Sequence, residues 1–367
     1  MCKNKNDNNR KMKGFQMNVL LLGGTGAMGS HVSDILKEKE CNIFVTSRSK
    51  RENKENITYL QGNAKDLTFI KKIVSKKHWD VIIDFMVYSL DELKERVDML
   101  LKSTNQYIFI SSARVYADSP LITEDSPRLL DVCKDKEYIA SNEYAIAKAK
   151  EENVLFESKY KNWTIVRPSL TYGENRLQLG VYEKENWLYR ALHGRSIVFS
   201  KDLMDNYYTL SYGRDVADGI AQLVGKPEAV GQGFHIVIEE SFQWKEILNV
   251  YLDVLEERTG KRPNVVLTEK CTNLKLPYAK YQVLYGRYFN RHFNNEKINR
   301  IVDTSKWLLP TQGLSKCLNS FLDNPKFLAI DWHKEALIDK AADEWTPLKE
   351  ISGKKTKLMY LKWRIFG

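Results

Sequence analysis

The 367-residue chain is 43% hydrophobic and 28% charged, a globular composition with room for two domains or for one α/β core carrying a smaller lobe. No apolar run reaches the roughly 18 residues of a membrane-spanning helix, and the polar start, Met1-Cys-Lys-Asn-Lys-Asn-Asp-Asn-Asn-Arg10, has no signal-peptide stretch. The net charge of +10 does not outline a nucleic-acid groove: five Lys/Arg against one Asp fall in residues 1–16, and five against no acid in 354–367, leaving the body near neutral.

Residues 1–16 read as a flexible basic leader. Apolar runs then predict strands over 18–22, 42–46, 57–60, 81–85 and 107–111, with helices over 30–39, 67–75 and 91–101 between them. Strands and helices alternating at this pace indicate a doubly wound, parallel Rossmann sheet over residues 17–170. A helix over 142–158 and a strand over 163–167, stopped by Pro168, complete that unit. Residues 208–238 return to the sheet with a helix over 212–224 and a strand over 233–238. Residues 174–200 and 260–300 are rich in aromatics and arginine without clear period, as expected of a smaller C-terminal substrate-binding lobe, whose bounds are set at 171–207 and 239–350. In the basic aromatic tail 351–367, Met359, Leu361, Trp363 and Ile365 alternate with Tyr360, Lys362 and Arg364, and period two predicts a half-buried strand.

Between the first strand and helix stands Gly23-Gly-Thr25-Gly26-Ala27-Met28-Gly29. Glycines there allow a tight turn and close approach of backbone to a pyrophosphate, which the following helix N-terminus stabilises. Thr25, Ala27 and Met28 complete this dinucleotide loop. The second strand ends in Thr46-Ser47-Arg48-Ser49 with no carboxylate to grip ribose hydroxyls. Ser47 and Arg48 instead suit a 2′-phosphate, which favours NADP(H) over NAD(H). Tyr144 and Lys148 lie four residues apart, on one face of a helix, where the ammonium favours the ionised phenol and prepares it for proton exchange. Strand alternation directs Ser111 and Ser112 to opposite faces. Neither the six histidines nor the five widely spaced cysteines show metal-ligand spacing, and the cysteines read as reduced thiols of a cytoplasmic protein.

These motifs, with Phe109-Ile-Ser-Ser-Ala-Arg-Val-Tyr116, Arg167-Pro-Ser-Leu-Thr-Tyr-Gly173 and Gly213-Arg-Asp-Val-Ala217, give the chain its family likeness. It resembles the extended short-chain dehydrogenases/reductases, the NAD(P)-dependent epimerase/dehydratase family acting mainly on nucleotide sugars. The resemblance implies that Ser112 hydrogen-bonds the reacting sugar oxygen, Tyr144 is the acid/base, and Lys148 binds the nicotinamide ribose. It places Asn63 near adenine, Asp84 and Phe85 beside the cofactor, and Pro168 and Ser169 at the nicotinamide carboxamide. Candidate substrate contacts are Ser112, Arg114, Tyr172, Arg176 and Arg190, with the last two offered to a diphosphate.

The 4,6-dehydratases of the family carry Asp-Glu after the active-site hydroxyl; here Ala113 and Arg114 stand there, which argues against dehydration. The resemblance therefore implies an epimerase or 4-ketoreductase of a nucleotide sugar in surface-polysaccharide or deoxysugar synthesis, acting as a homodimer. Some similar proteins are non-catalytic modules that bind RNA or regulate other proteins, and this is the alternative. For the tail, peripheral contact of 354–367 with an anionic membrane competes with simple packing on the chain's own surface or a dimer mate.

Overall fold

The computed structural model describes residues 16–39, 41–276 and 279–367. Apart from Gln16, the basic leader lies outside the described residues. The main sheet has strands β1 (Asn18–Leu22), β2 (Asn42–Ser47), β3 (Ile57–Gln61), β4 (Trp79–Asp84), β5 (Thr104–Ile110), β6 (Trp163–Pro168) and β7 (Gln232–Ile236). All pairings are parallel, in the order 7-6-5-4-1-2-3. The chain reverses direction across the sheet between β1 and β4, so their C-terminal ends open a crevice where the glycine loop begins.

Helices cover both faces, so the central strands are apolar on both sides. Val19 and Leu21 belong to one core with α1 (Ala27–Glu38) and α6 (Gly213–Leu223), while Leu20 and Leu22 belong to the other with α2 (Leu67–Val74) and α3 (Leu90–Lys102). Local chemistry sets the starts. Asp66 caps α2, and Ser89 with Glu92 forms a capping box on α3.

The smaller lobe gathers α5 (Lys184–Leu192), α7 (Trp244–Thr259) and α8 (Pro310–Asp323) around a core that includes Trp187 stacked on Tyr251 at 4.3 Å. Its edge differs from the expected 239–350: Ile298, Val302 and Trp307 pack into the sheet core, not the lobe. Residues 210–212 pair with 170–172 in the lobe, so the return to the sheet begins with α6.

The tail is not a strand. Residues Lys354–Phe366 form helix α10, packed on α9 (Trp332–Ala342). Tyr360 and Arg364, one turn apart, are the positions that α10 buries. Helix formers fill the segment, and tertiary anchoring at that i, i+4 pair prevails over an apolar alternation that also scans at helical spacing through Leu358, Leu361 and Ile365.

Candidate active site

At the end of β1, Gly23 adopts φ +71°, and a Cβ there would meet Met86 Sδ at 2.7 Å. A Cβ on Gly29 would fall 2.6 Å from Gly24 Cα, so these two glycines let α1 start directly against the loop. Gly26 supplies α1 with no side-chain cap, and its first turn holds no acid. The helix N-terminus, with its unshielded N–H groups, thus faces a cleft of about 440 Å³ whose walls include Gly26, Met28, Phe85 and Gly213. This cradle fits a dinucleotide pyrophosphate. Ala27 lines it too, whereas Thr25 stands exposed at the loop tip.

The second strand ends in a turn built around Ser47. Its hydroxyl donates to the Ser49 carbonyl at 2.8 Å and accepts from Arg51 Nε at 3.3 Å, while Arg48 points to solvent. Asn63 is an exposed loop residue whose Oδ1 accepts from the Lys65 N–H. Asp84 corrects an expectation. Its carboxylate is fully buried and accepts from the Met86 N–H and from the Tyr107 hydroxyl at 2.8 Å. Burial pushes it up to about 6 in spite of those bonds. Asp84 caps its own turn, and Phe85 alone of that pair reaches the cleft wall.

A second cleft of about 350 Å³ joins Ser112, Tyr144 and Ser169 from the sheet domain to Arg176, Tyr208 and Arg287 from the lobe. Ser111 is turned away, donating to the buried Glu152 at 2.6 Å. Ser112 faces the cleft, and its Oγ accepts from the Arg114 N–H at 3.2 Å. Tyr144 is the first residue of α4 (Tyr144–Glu157) and is 46% exposed. Glu143 caps that helix through the Ala145 N–H and pairs with Arg114 at 2.8 Å. Lys148, one turn on, is buried and donates to Glu151 Oε2 at 2.8 Å. Burial pushes the Glu151 carboxyl up more than Lys148 draws it down. Glu152 receives Arg167 through both oxygens and Arg128 through one, which fixes α4 against β6. Pro168 ends β6, and Ser169 donates to the Thr209 carbonyl.

The lobe contributes arginines that motif reading missed. Arg287, buried, donates to the Gly180 carbonyl and at 2.6 Å to the Tyr208 hydroxyl. Arg291, also buried, reaches the carbonyls of Tyr116 and Ala117, and burial with Arg114 nearby lowers it to about 10. Burial alone would raise the Tyr208 phenol, yet Arg287, Arg291 and Arg114 together bring it below its ordinary value. Arg114 Nε and Nη2 and Arg291 Nη2 have no partner among the described residues. Arg176, largely exposed, lines both clefts.

Two expected substrate contacts do not reach this cleft. Arg190 is fully buried in the lobe, donating to Glu335 at 2.7 Å, Asp339 at 2.5 Å and Glu344 at 2.7 Å. Its guanidinium is consumed by carboxylates and cannot grip a diphosphate. Tyr172 lines the dinucleotide cleft, but its hydroxyl occupies the space left by the missing Cβ of Gly313 and has no partner among the described residues. The only sequence sign of the missed group was Arg287 and Arg291 in an aromatic stretch without acid at helical distance.

Residues 19–238 match the NAD dependent epimerase/dehydratase family, and the chain belongs to it. It is 26% identical over 234 residues to the chloroplast stem-loop binding protein of 41 kDa b of Arabidopsis thaliana, covering 59% of this chain and 58% of that protein. It is 23% identical over 231 residues to the human dTDP-D-glucose 4,6-dehydratase, covering 54% of this chain and 66% of that one. The chain thus spans less than two thirds of either curated relative. The solved UDP-glucuronic acid 4-epimerase of Bacillus cereus, in complex with UDP-glucuronic acid and NAD, superposes with a TM-score of 0.61 at 14% identity. That match covers 84% of this chain and 99% of the epimerase.

Proposed function

We propose that this protein is an NAD(P)-dependent epimerase or 4-ketoreductase of a nucleotide sugar. One observation carries the reading. The cleft holding Ser112 and Tyr144 also holds Arg114, Arg176 and Arg287, an excess of cation beside the dinucleotide cleft. A sugar joined to a nucleoside diphosphate matches that arrangement, with its phosphates on the arginines and its reacting carbon at Tyr144.

A bound nicotinamide supplies or accepts the hydride. Ser112 Oγ orients the reacting hydroxyl or carbonyl, and Tyr144 Oη takes the hydroxyl proton or returns it. Lys148, steadied by Glu151, keeps N–H donors for the nicotinamide ribose and a positive charge one turn from Tyr144. The Ser47 turn, with Arg48 and Arg51, favours a 2′-phosphate and so NADP(H). The structures solved with NAD among its relatives keep NAD(H) as the alternative.

The relative named as a stem-loop binding protein favours a second reading, in which the fold serves as a binding module without turnover. Tyr144→Phe separates the two. With a panel of nucleoside-diphosphate sugars, turnover should fall about 10²- to 10⁴-fold while NADPH or NADH binding stays unchanged. Undiminished turnover, or no dinucleotide binding by the wild type, would sink the enzyme proposal. Mass spectrometry of nucleotide released on denaturation then divides the chemistry. Retained dinucleotide points to an epimerase; an empty protein that binds NADPH on titration points to a reductase.

A further inference from the structure

Helix α10 has an inner face that the fold uses and an outer face that the described residues leave uncovered. On the inner face Tyr360 donates to Asp339 Oδ2 at 2.7 Å, and Arg364 donates to the Glu344 carbonyl at 2.7 Å. On the outer face Leu358 is 67% exposed and Ile365, two turns on, is 50% exposed. Trp345, 51% exposed, packs 4.4 Å from the Arg364 guanidinium. Lys354, Lys355 and Lys362 are exposed around the apolar strip of Leu358 and Ile365, and residues 354–367 contain no acid. The neighbouring carboxylate Asp343 is occupied by Arg364 at 3.1 Å.

We propose that this outer face docks on an anionic lipid surface, with α10 lying in the headgroup plane. Leu358 and Ile365 enter the acyl boundary, while the three lysines extend their stems along it and place their ammonium groups among lipid phosphates. Among the described residues no helix is long and apolar enough to cross a membrane, and the proposed contact is a peripheral one. Charge complementarity selects this occupant. A second copy packed on the same face by twofold symmetry would bring the lysines against their own images. A nucleic acid would satisfy the lysines but leave the apolar strip in water.

The test is co-sedimentation of the full chain with vesicles of phosphatidylcholine alone and of phosphatidylcholine mixed with phosphatidylglycerol. Retention should appear on the anionic vesicles and weaken as salt rises. Replacing Lys354, Lys355 and Lys362 together by Ser should lower the partition coefficient on the order of a hundredfold, at roughly fivefold per lysine. Leu358→Ser with Ile365→Ser should lower it about tenfold. All five side chains are exposed, so thermal melts of both variants should match the wild type. Equal behaviour on both vesicle types would overturn the proposal. So would loss in the lysine variant with none in the apolar variant, which would leave a generic polyanion surface. A wild-type dimer that becomes monomeric in the apolar variant, without vesicle retention, would assign the face to a second copy instead.

Discussion

Arg190 and Arg287 both lie in the smaller lobe, and both are almost wholly removed from solvent. Their surroundings differ in one respect. Arg190 meets three carboxylates, Glu335, Asp339 and Glu344, and neighbouring Arg195 meets Glu350 as well as Glu335. Arg287 meets a carbonyl and a phenol, and burial, with Arg114 and Arg176 adding to it, lowers its affinity for a proton. A buried cation needs compensation. Where the chain supplies it, the cluster is structural and ties α5 to α9. Where the chain withholds it beside an open cleft, the missing charge is, on the proposed function, the ligand's. The difference explains why an arginine's burial or position in sequence is a poor guide to binding, while its partners are a good one.

The largest way to break this contrast is Arg190→Met. It leaves Glu335 and Asp339 buried without their cation, and loss of one partner of a buried pair costs about 3–5 kcal/mol. Urea unfolding should show that loss directly. Dinucleotide binding, measured where the variant remains folded, should be unchanged because Arg190 lies outside both clefts. A variant as stable as the wild type would mean that the carboxylates find other cations and that the cluster is not the anchor of α9.

Arg287→Met should do the reverse. Removing an uncompensated buried cation relieves a desolvation cost, so unfolding should stay within about 1 kcal/mol of wild type or improve. Binding of a nucleoside-diphosphate sugar should weaken by about tenfold to a hundredfold, the worth of hydrogen bonds to a charged group. Isothermal titration checks both the affinity and the unaltered dinucleotide site. A large stability loss with intact substrate binding would place Arg287 with Arg190 after all.

How much of this was legible in sequence depended on how far apart the cooperating residues stand. The sheet was readable because its central strands are continuous apolar runs buried on both faces, and the glycine loop because its steric need is met within seven residues. Tyr144 and Lys148 were readable for the same reason, since i, i+4 spacing is enough to align them. Arg114, Tyr208 and Arg287 meet only after a chain reversal, and no local pattern distinguishes Arg287 from Arg190. Glu151 was missed although it is three residues from Lys148, because helical spacing alone does not tell a buried ion pair from a surface one. Asp84 was misjudged because a strand-ending Asp serves a turn as readily as a cofactor. In the tail, an apolar alternation fitted two periods, and only the buried Tyr360 and Arg364 decide between them.

The smallest predicted effect lies inside the Arg190 cluster and concerns pH. Burial pushes the Glu335 carboxyl up to about 7, with Asp339 adding to the rise and Arg190 opposing it. Its Oε2 has no partner among the described residues, an environment suited to the neutral acid. Asp339 moves the other way: burial would raise it, but Arg190 and the Tyr360 and Thr346 hydroxyls hold it below the ordinary value. The folded state therefore keeps the Glu335 proton between its ordinary value of 4.5 and about 7, where the unfolded chain has released it. Stability from this residue is fully present below that window and declines as pH rises through it. Asp339 contributes stability above 3.8 that is lost only as pH falls further, so the two do not overlap. Glu335→Gln should remove the decline, flattening the urea midpoint between pH 5 and 7 by the equivalent of roughly 1–2 kcal/mol. The same slope in wild type and variant would show that Arg190 and Arg195 keep Glu335 ionised, and that the cluster is compensated in full at every pH the fold survives.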